Sequence, residues 1–199
     1  MVLAFSLIIL YGEILGLCWS DVDWGGETDT RVNIRKTLTR QYKPPKNDPN
    51  YEIVHWTPGN KTAITLGKVK TKKSRRSLIL PKVAYECLVK LKAINDHMTA
   101  DFGDSFNPHG FVIMSLKGEA MEPRTFTDYF YDLVKVSHIQ HANYHALRHT
   151  YATRGNEYGI DAATLSELLG HAQTSTTMNM YVHSQDEQKR KARNLFDQM

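Results

Sequence analysis

The sequence predicts an α+β fold that is mostly helical, with a small antiparallel sheet near the N-terminal half packed against a helical bundle. Three observations lead to this prediction. An apolar run opens the chain, alternating and β-branched segments fill residues 32–80, and apolar residues recur at helical spacing after Pro81. A chain of 199 residues can bury a sizeable core without disulfides, and we expect one domain over residues 1–199.

The N-terminal half is predicted to contain one helix followed by strands. The apolar run predicts a buried helix over residues 2–17 that ends near Gly16. The strands are expected at residues 32–39, 51–56, 62–69 and 77–80. A loop rich in proline and asparagine, residues 43–50, separates the first two strands, and a turn at residues 58–60 separates the next two.

The C-terminal half is predicted to be helical, apart from a short strand over residues 111–114. The apolar residues at helical spacing after Pro81 are Val83, Cys87, Leu88, Leu91 and Ile94. The later helices are expected at residues 123–137, 143–158, 161–169, 175–183 and from 186 onward.

Charge is distributed unevenly along the chain, although the net charge is only +4. Residues 1–30 contain five acidic residues and no lysine or arginine. Residues 31–76 contain 13 lysines and arginines against two acids, a net charge of +11. A solvated surface segment would explain this pattern, and so would a surface that binds nucleic acid.

The two cysteines and the apolar N-terminus indicate a cytoplasmic protein. Cys18 and Cys87 lie in apolar stretches, which predicts free thiols in a reducing compartment. The apolar run has no basic segment or cleavage site of a signal peptide, and Glu13 makes it too short to span a membrane.

Four side chains form a constellation that can act on a phosphodiester. His145 and Arg148 share one face of a predicted helix, where an imidazole and a planar guanidinium suit phosphate oxygens. His171 follows the helix-ending Gly170, and Tyr181 lies ten residues later. Each residue alone is more typical of a helix surface or a packed core than of an active site.

A basic turn over residues 70–76 offers a proton donor and phosphate contacts. On a hairpin, Lys70 could reach a DNA groove and protonate a leaving oxygen, with Lys72 as the second choice. The candidate DNA-binding residues are Lys70, Lys72, Lys73, Arg75 and Arg76.

Four separated blocks, in this order, resemble the catalytic domain of the tyrosine recombinases, the phage integrase family. The blocks are GEILGLCWSDVDW (12–24), KTKKSRR (70–76), HALRHTYATR (145–154) and LSELLGHAQTSTTMNMYVH (165–183). The third block resembles integrases of bacterial mobile elements, so integration or excision of DNA is the expected activity.

The resemblance implies that Tyr181 attacks a scissile phosphate in double-stranded DNA and forms a covalent 3′-phosphotyrosine link. It assigns the supporting catalytic roles to Arg148, His145, His171 and Lys70. It implies no cofactor and no metal, and a location in the bacterial cytoplasm.

The family's first catalytic arginine is replaced here by Leu10. Gly12 and Glu13 fix the register of this motif, and no arginine precedes Arg31. Losing one donor to a transition-state oxyanion typically lowers the rate by about 10²–10³. We therefore expect impaired cleavage, and a DNA-binding or assembly remnant without cleavage is the alternative.

Family members usually carry an upstream helical domain that clamps the DNA, and we expect it to be absent from this chain. The segment after residue 186 is expected to pack either on its own domain or on a neighbouring protomer. The second arrangement would give a homo-oligomer, a tetramer, on DNA.

Two other enzyme classes share parts of the pattern. His145 and His149 have the spacing of a zinc protease, but residue 146 is alanine where such a site needs glutamate. Type IB topoisomerases use the same tyrosine chemistry, but the Leu-Gly-His block favours a recombinase.

Overall fold

A computed structural model describes residues 9–59, 61–69, 71–139 and 143–170, with only the backbone of Lys72. The chain forms two compact units, residues 1–142 and residues 143–199. The predicted helices at 175–183 and after residue 186 lie outside the described residues.

The described part of the first unit contains short helices, six strands and two longer helices. In chain order they are α1 (Tyr11–Leu15), β1 (Val22–Asp23), α2 (Gly26–Asp29), β2 (Arg31–Ile34), β3 (Lys36–Tyr42), β4 (Tyr51–Trp56), β5 (Thr62–Lys68), β6 (Arg76–Ile79), α3 (Lys82–Phe102) and α4 (Pro123–Val136). Two short 3₁₀ turns span Trp19–Asp21 and Lys72–Ser74.

The strands form two small antiparallel sheets of three strands each. One sheet has the order β1-β2-β6, and the other has the order β3-β5-β4. Lys36 pairs with Lys68 at one end of β3, and Tyr42 pairs with Thr62 at the other. Small antiparallel sheets with helices confirm the predicted α+β class.

Helix α1 packs so closely against β3 that a side chain at Gly12 or Gly16 would meet the backbone of the strand. Modelling a Cβ atom on Gly12 would place it 2.6 Å from Thr37 Oγ1 and 2.9 Å from the Leu38 carbonyl oxygen. A Cβ on Gly16 would lie 2.9 Å from the Leu38 nitrogen. The two glycines, four residues apart on one helix face, therefore let the helix approach the strand closely.

The predicted helix over residues 2–17 ends near Gly16 as expected, but within the described residues its predicted start is wrong. Leu10 is extended, with φ −61° and ψ 147°, and the helix begins only at Tyr11. The Glu13 side chain accepts a hydrogen bond from the Leu10 backbone N–H at 3.1 Å, which starts the helix there. An apolar run alone does not reveal such a boundary.

Three other local predictions need correction. The strand over residues 32–39 is divided at Arg35 into β2 and β3, which belong to different sheets. Residues 111–114 contribute only two isolated bridges, Cys18 with Phe111 and Met114 with Ala120. In β4 a bulge between Ile53 and His55 interrupts the expected alternation.

Helix α3 was predicted correctly, but its apolar residues are not all buried. Leu88 lies in the core, whereas Val83 and Ile94 are 53% and 56% exposed. Both cysteines are free thiols, as predicted. Burial raises the pKa of the Cys18 thiol to about 11, so the group is protonated and unreactive at neutral pH.

The second unit contains α5 (Tyr144–Glu157) and α6 (Ala162–Leu169), close to the predicted bounds. The Asn143 side chain caps α5, and the Asp161 side chain accepts hydrogen bonds from two backbone N–H groups at the start of α6. Gly170 ends α6 in the left-handed conformation, with φ 66°. None of the helices in the described ranges is long and apolar enough to cross a bilayer.

Candidate active site

Helix α5 carries both of the predicted catalytic residues that the structure describes, Arg148 and His145. The Asn143 Oδ1 atom accepts a hydrogen bond from the Ala146 N–H at 2.8 Å, which fixes the first turn of the helix. His145, in that turn, is exposed, whereas Arg148 is only 8% exposed. The helix therefore presents one imidazole to solvent and holds one guanidinium inside the unit.

The Arg148 guanidinium is bonded to the end of the following helix. Its Nη2 atom donates to the Leu169 carbonyl oxygen at 2.6 Å. Leu169 is the last residue of α6. The carbonyl groups in the last turn of a helix have no N–H partner within that helix, so they can accept hydrogen bonds from elsewhere. This hydrogen bond fixes the orientation of Arg148 through a neutral acceptor and ties α6 to α5.

Small and apolar residues let the two helices pack together. Ala152 and Leu165 are buried between them. A Cβ atom on Gly155 would lie 2.6 Å from Leu165 Cδ2, so the glycine lets α6 approach α5.

A cavity of about 600 Å³ runs along the exposed side of α5. Its described lining includes His145, His149, Thr150 and Arg154. Arg154 is paired with Glu157 at 2.9 Å. Hydrogen-bond donors thus lie along the length of this side of the helix.

Arg76 lies apart from the exposed basic residues with which the sequence grouped it. Its guanidinium donates to both carboxylate oxygens of Glu13, at 3.1 and 2.8 Å, and to the Ser74 carbonyl oxygen at 3.1 Å. The Arg76 and Glu13 side chains are 3% and 6% exposed. The structure therefore assigns Arg76 to the interior, and we leave it out of the DNA-contacting set.

The same ion pair connects the basic turn to the start of α1. Glu13 accepts from Arg76 and also from the Leu10 N–H, and Arg76 holds the Ser74 carbonyl. Leu10, the position to which the resemblance assigns the first arginine, is half-buried. Its side chain is apolar, so this corner has no donor from residue 10 for an anion.

The described part of the basic turn outside Arg76 contains internal hydrogen bonds and exposed side chains. The Thr71 and Ser74 hydroxyl groups lie 2.8 Å apart, and Ser74 N–H donates to Thr71 Oγ1 at 3.1 Å. Lys73 and Arg75 are exposed. The turn thus presents two cations to solvent from a hydrogen-bonded loop.

Several predicted site residues lie outside the described residues. These are Tyr181, His171, Lys70 and the Lys72 side chain. The described part of the chain contains no group of three or more histidine, cysteine and acidic side chains that could hold a metal ion.

Sequence reasoning did not identify Glu13 as a partner of Arg76. The available signal was the position of Glu13 as a lone acid in an apolar run, between glycines that pack on a strand. A buried carboxylate of that kind requires a cation, but 63 residues separate the two partners.

The sequence matches the model of the phage integrase family over residues 2–188. It is 27% identical over 193 residues to a XerC-like tyrosine recombinase of Caldanaerobacter subterraneus subsp. tengcongensis, covering 96% of this chain and 46% of that protein. It is 34% identical over 119 residues to tyrosine recombinase XerC of Staphylococcus aureus, covering 57% of this chain and 40% of that protein. The chain therefore spans about half the length of these relatives or less.

Solved structures share the fold. The Tn1549 transposon integrase in complex with transposon right end DNA aligns with a TM-score of 0.65 and 18% identity, covering 96% of this chain and 56% of that chain. XerA recombinase aligns with a TM-score of 0.62 and 21% identity, covering 96% of this chain and 56% of that chain. These alignments confirm the predicted fold class.

Proposed function

The chain belongs to the phage integrase family, and on that premise we propose that it acts in site-specific recombination or integration of double-stranded DNA. Tyr181 is the proposed nucleophile, and the replacement of the first catalytic arginine by Leu10 impairs the reaction. The matched range, residues 2–188, includes both positions.

The observation that carries the proposal is the fixed Arg148 on α5. A guanidinium can donate two parallel hydrogen bonds to a phosphate, and its value in a transition state depends on being held in place beforehand. The 2.6 Å bond to the Leu169 carbonyl oxygen supplies that support. His145, one turn earlier on the helix, adds an imidazole donor.

The proposed reaction needs neither a metal nor a nucleotide cofactor. The Tyr181 hydroxyl loses its proton to solvent as its oxygen attacks the scissile phosphorus, and the bond from phosphorus to the 5′ oxygen breaks. Lys70 gives a proton to that oxygen as it leaves, while Arg148, His145 and His171 stabilise the negative charge on the other phosphate oxygens. The phosphotyrosine bond conserves the energy for rejoining.

The leucine at residue 10 leads us to expect a low rate of DNA cleavage. It cannot donate to a phosphate oxygen, and a missing donor of this kind lowers catalysis by about 10²–10³. Slow cleavage of a bound substrate is thus expected. Lys73 and Arg75 provide phosphate contacts that are independent of this defect.

A suicide DNA substrate that traps the covalent intermediate tests the proposal. Slow accumulation of a protein–DNA adduct is expected, and Tyr181→Phe should abolish it with unchanged DNA binding. An adduct that persists in the phenylalanine variant would contradict the role of Tyr181. Adduct formation as fast as in relatives that have the first arginine would contradict impaired catalysis.

The second candidate function is that of a DNA-binding or assembly remnant without cleavage, and Leu10 is the observation that favours it. The two functions differ in one measurement. DNA binding with no adduct, even after Leu10→Arg restores the donor, would support the remnant. An adduct in the wild-type protein supports the enzyme, and an adduct in Leu10→Arg alone supports a remnant that the missing donor inactivates.

We further propose that the C-terminal segment links protomers into a tetramer on DNA, with packing on its own domain as the alternative. Residues 187–199 contain four basic residues interspersed with apolar ones. Deleting them should abolish self-association on DNA in sedimentation experiments. Unchanged assembly would contradict the role of this segment.

A further inference from the structure

Basic residues at the far end of the β3-β5-β4 sheet form a second cationic surface, distinct from the turn at residues 71–75. At this end the Lys43 N–H donates to the Lys61 carbonyl oxygen at 2.9 Å, just beyond the pair Tyr42–Thr62. We call Tyr42, Lys43 and Lys61 the basic tip. Its two lysines are therefore adjacent across neighbouring strands.

The basic tip is exposed, and its lysines form no ion pair with a described carboxylate. Tyr42 is 67% exposed, and the Lys43 ammonium lies 5.5 Å from the centre of its ring. Both lysines are exposed, and neither has a carboxylate partner among the described residues. The nearby Arg40, in contrast, is paired with Glu122 at 3.3 Å. Two exposed cations beside a tyrosine suit the phosphate backbone of DNA, which lysine and tyrosine side chains commonly contact.

The backbone of Lys43 supports a role for its side chain. Lys43 has φ +41°, in the left-handed region that residues other than glycine and asparagine rarely adopt. A glycine or an asparagine would form this turn at lower energetic cost. A long cationic side chain in such a conformation is a candidate for a functional contact.

The two cationic surfaces are well separated along the sheet. The basic turn follows the end of β5 at Lys68, which pairs with Lys36, while the basic tip begins at the other end of the same strands. Six residues of extended strand correspond to about 20 Å. Since DNA rises about 3.4 Å per base pair, this distance corresponds to about six base pairs.

We propose that the basic tip contacts the backbone of duplex DNA about six base pairs from the segment that the basic turn contacts. The inference rests on the proposed DNA-binding function, and it extends that function to a surface outside the four family blocks. Its contacts are to phosphates. They therefore increase the affinity for DNA and the length of DNA that the protein covers, without a preference for sequence.

The salt dependence of DNA binding tests the inference. The full chain is titrated with a 40-base-pair duplex of mixed sequence at several KCl concentrations, for the wild type and for Lys43→Asn/Lys61→Gln. Each lost phosphate contact lowers the slope of log K against log salt by about 0.9, so the variant's slope should be shallower by about 1.8. Asparagine tolerates the left-handed conformation, so the melting temperature should not fall.

The matched control removes two exposed lysines elsewhere in the first unit, Lys90→Gln/Lys135→Gln, and should leave the slope unchanged. If wild-type protein binds DNA but both double variants keep its slope, the basic tip proposal is overturned and the proposed function stands. Loss of self-association with an unchanged slope would overturn it in favour of a protein partner. Absence of salt-dependent binding in the wild type would overturn the proposed function itself.

Discussion

Arg76 and Arg148 are both buried, but they lie in different units and have different partners. Arg76 donates to both oxygens of the Glu13 carboxylate, whereas Arg148 donates to the Leu169 carbonyl oxygen. A carboxylate neutralises a guanidinium, and a carbonyl oxygen only orients it. The two buried arginines therefore differ in the chemistry of these partners, a difference that their equal burial does not reveal.

The largest expected effect comes from giving the first unit the donor that it lacks. Leu10→Arg should increase the rate of covalent adduct formation on a suicide substrate by about 10²–10³, because the variant regains a guanidinium donor of the kind that the resemblance to the tyrosine recombinases assigns to this position. Leu10→Met, which preserves the apolar character and approximate size, should leave the rate unchanged. A rate that stays the same in the arginine variant would mean that a further defect limits catalysis.

The buried ion pair should contribute far more to stability than an exposed one. Arg76→Met leaves Glu13 charged and buried, and it should lower the free energy of unfolding by about 3–5 kcal/mol in urea denaturation. Arg154→Met breaks the exposed pair with Glu157 and should cost at most about 1 kcal/mol. Similar losses in both variants would refute the structural role of Arg76. Replacing Glu13 and Arg76 together with apolar residues should recover much of the loss.

Replacing one glycine in each unit with alanine tests whether the glycine is packed against backbone or against a side chain. Gly12→Ala would place a methyl group 2.9 Å from the Leu38 carbonyl oxygen, and it should cost about 1–3 kcal/mol because the strand backbone has to move. Gly155→Ala meets the end of the Leu165 side chain, which can rotate, so a smaller loss is expected. Equal losses by thermal denaturation would contradict the difference between backbone and side-chain contact.

The smallest effect concerns the cap of α6. Hydrogen bonds from Thr164, first from its side chain and then from its backbone, lower the pKa of Asp161 below its usual value. The charged form therefore stabilises the folded state above the unfolded-state pKa, and this contribution is lost as pH falls through the folded-state pKa. Asp161→Asn keeps a capping oxygen without the charge, so its melting temperature should decline less on acidification. Parallel declines would argue against the charged cap.

Helix ends in the second unit could be predicted because local residues determine them. Asn143 and Asp161 cap the helices with their own side chains, and Gly170 provides the left-handed end. The start of α1 could not be predicted in this way. It depends on the Glu13 side chain, which also pairs with an arginine 63 residues away.

The candidate site shows the same difference between features that neighbouring residues determine and features that depend on residues far apart in the sequence. The spacing of His145 and Arg148 on one helix was evident from the sequence, and α5 carries both. The role of Arg76 was not evident from the sequence, because a count of charged residues does not distinguish a buried arginine from an exposed one. Only the pairing of β6 with β2 and the packing of α1 on β3 bring Arg76 and Glu13 together.

The close approach of α1 to β3 also has a consequence for how this protein can evolve. Gly12, Gly16 and the Glu13–Arg76 pair hold the corner together, and the side chain of residue 10 takes no part in those contacts. These contacts therefore do not depend on the side chain at residue 10. Most leucine codons differ from an arginine codon by a single base, so one mutation can place a guanidinium at residue 10 while Gly12, Gly16 and the ion pair are unchanged.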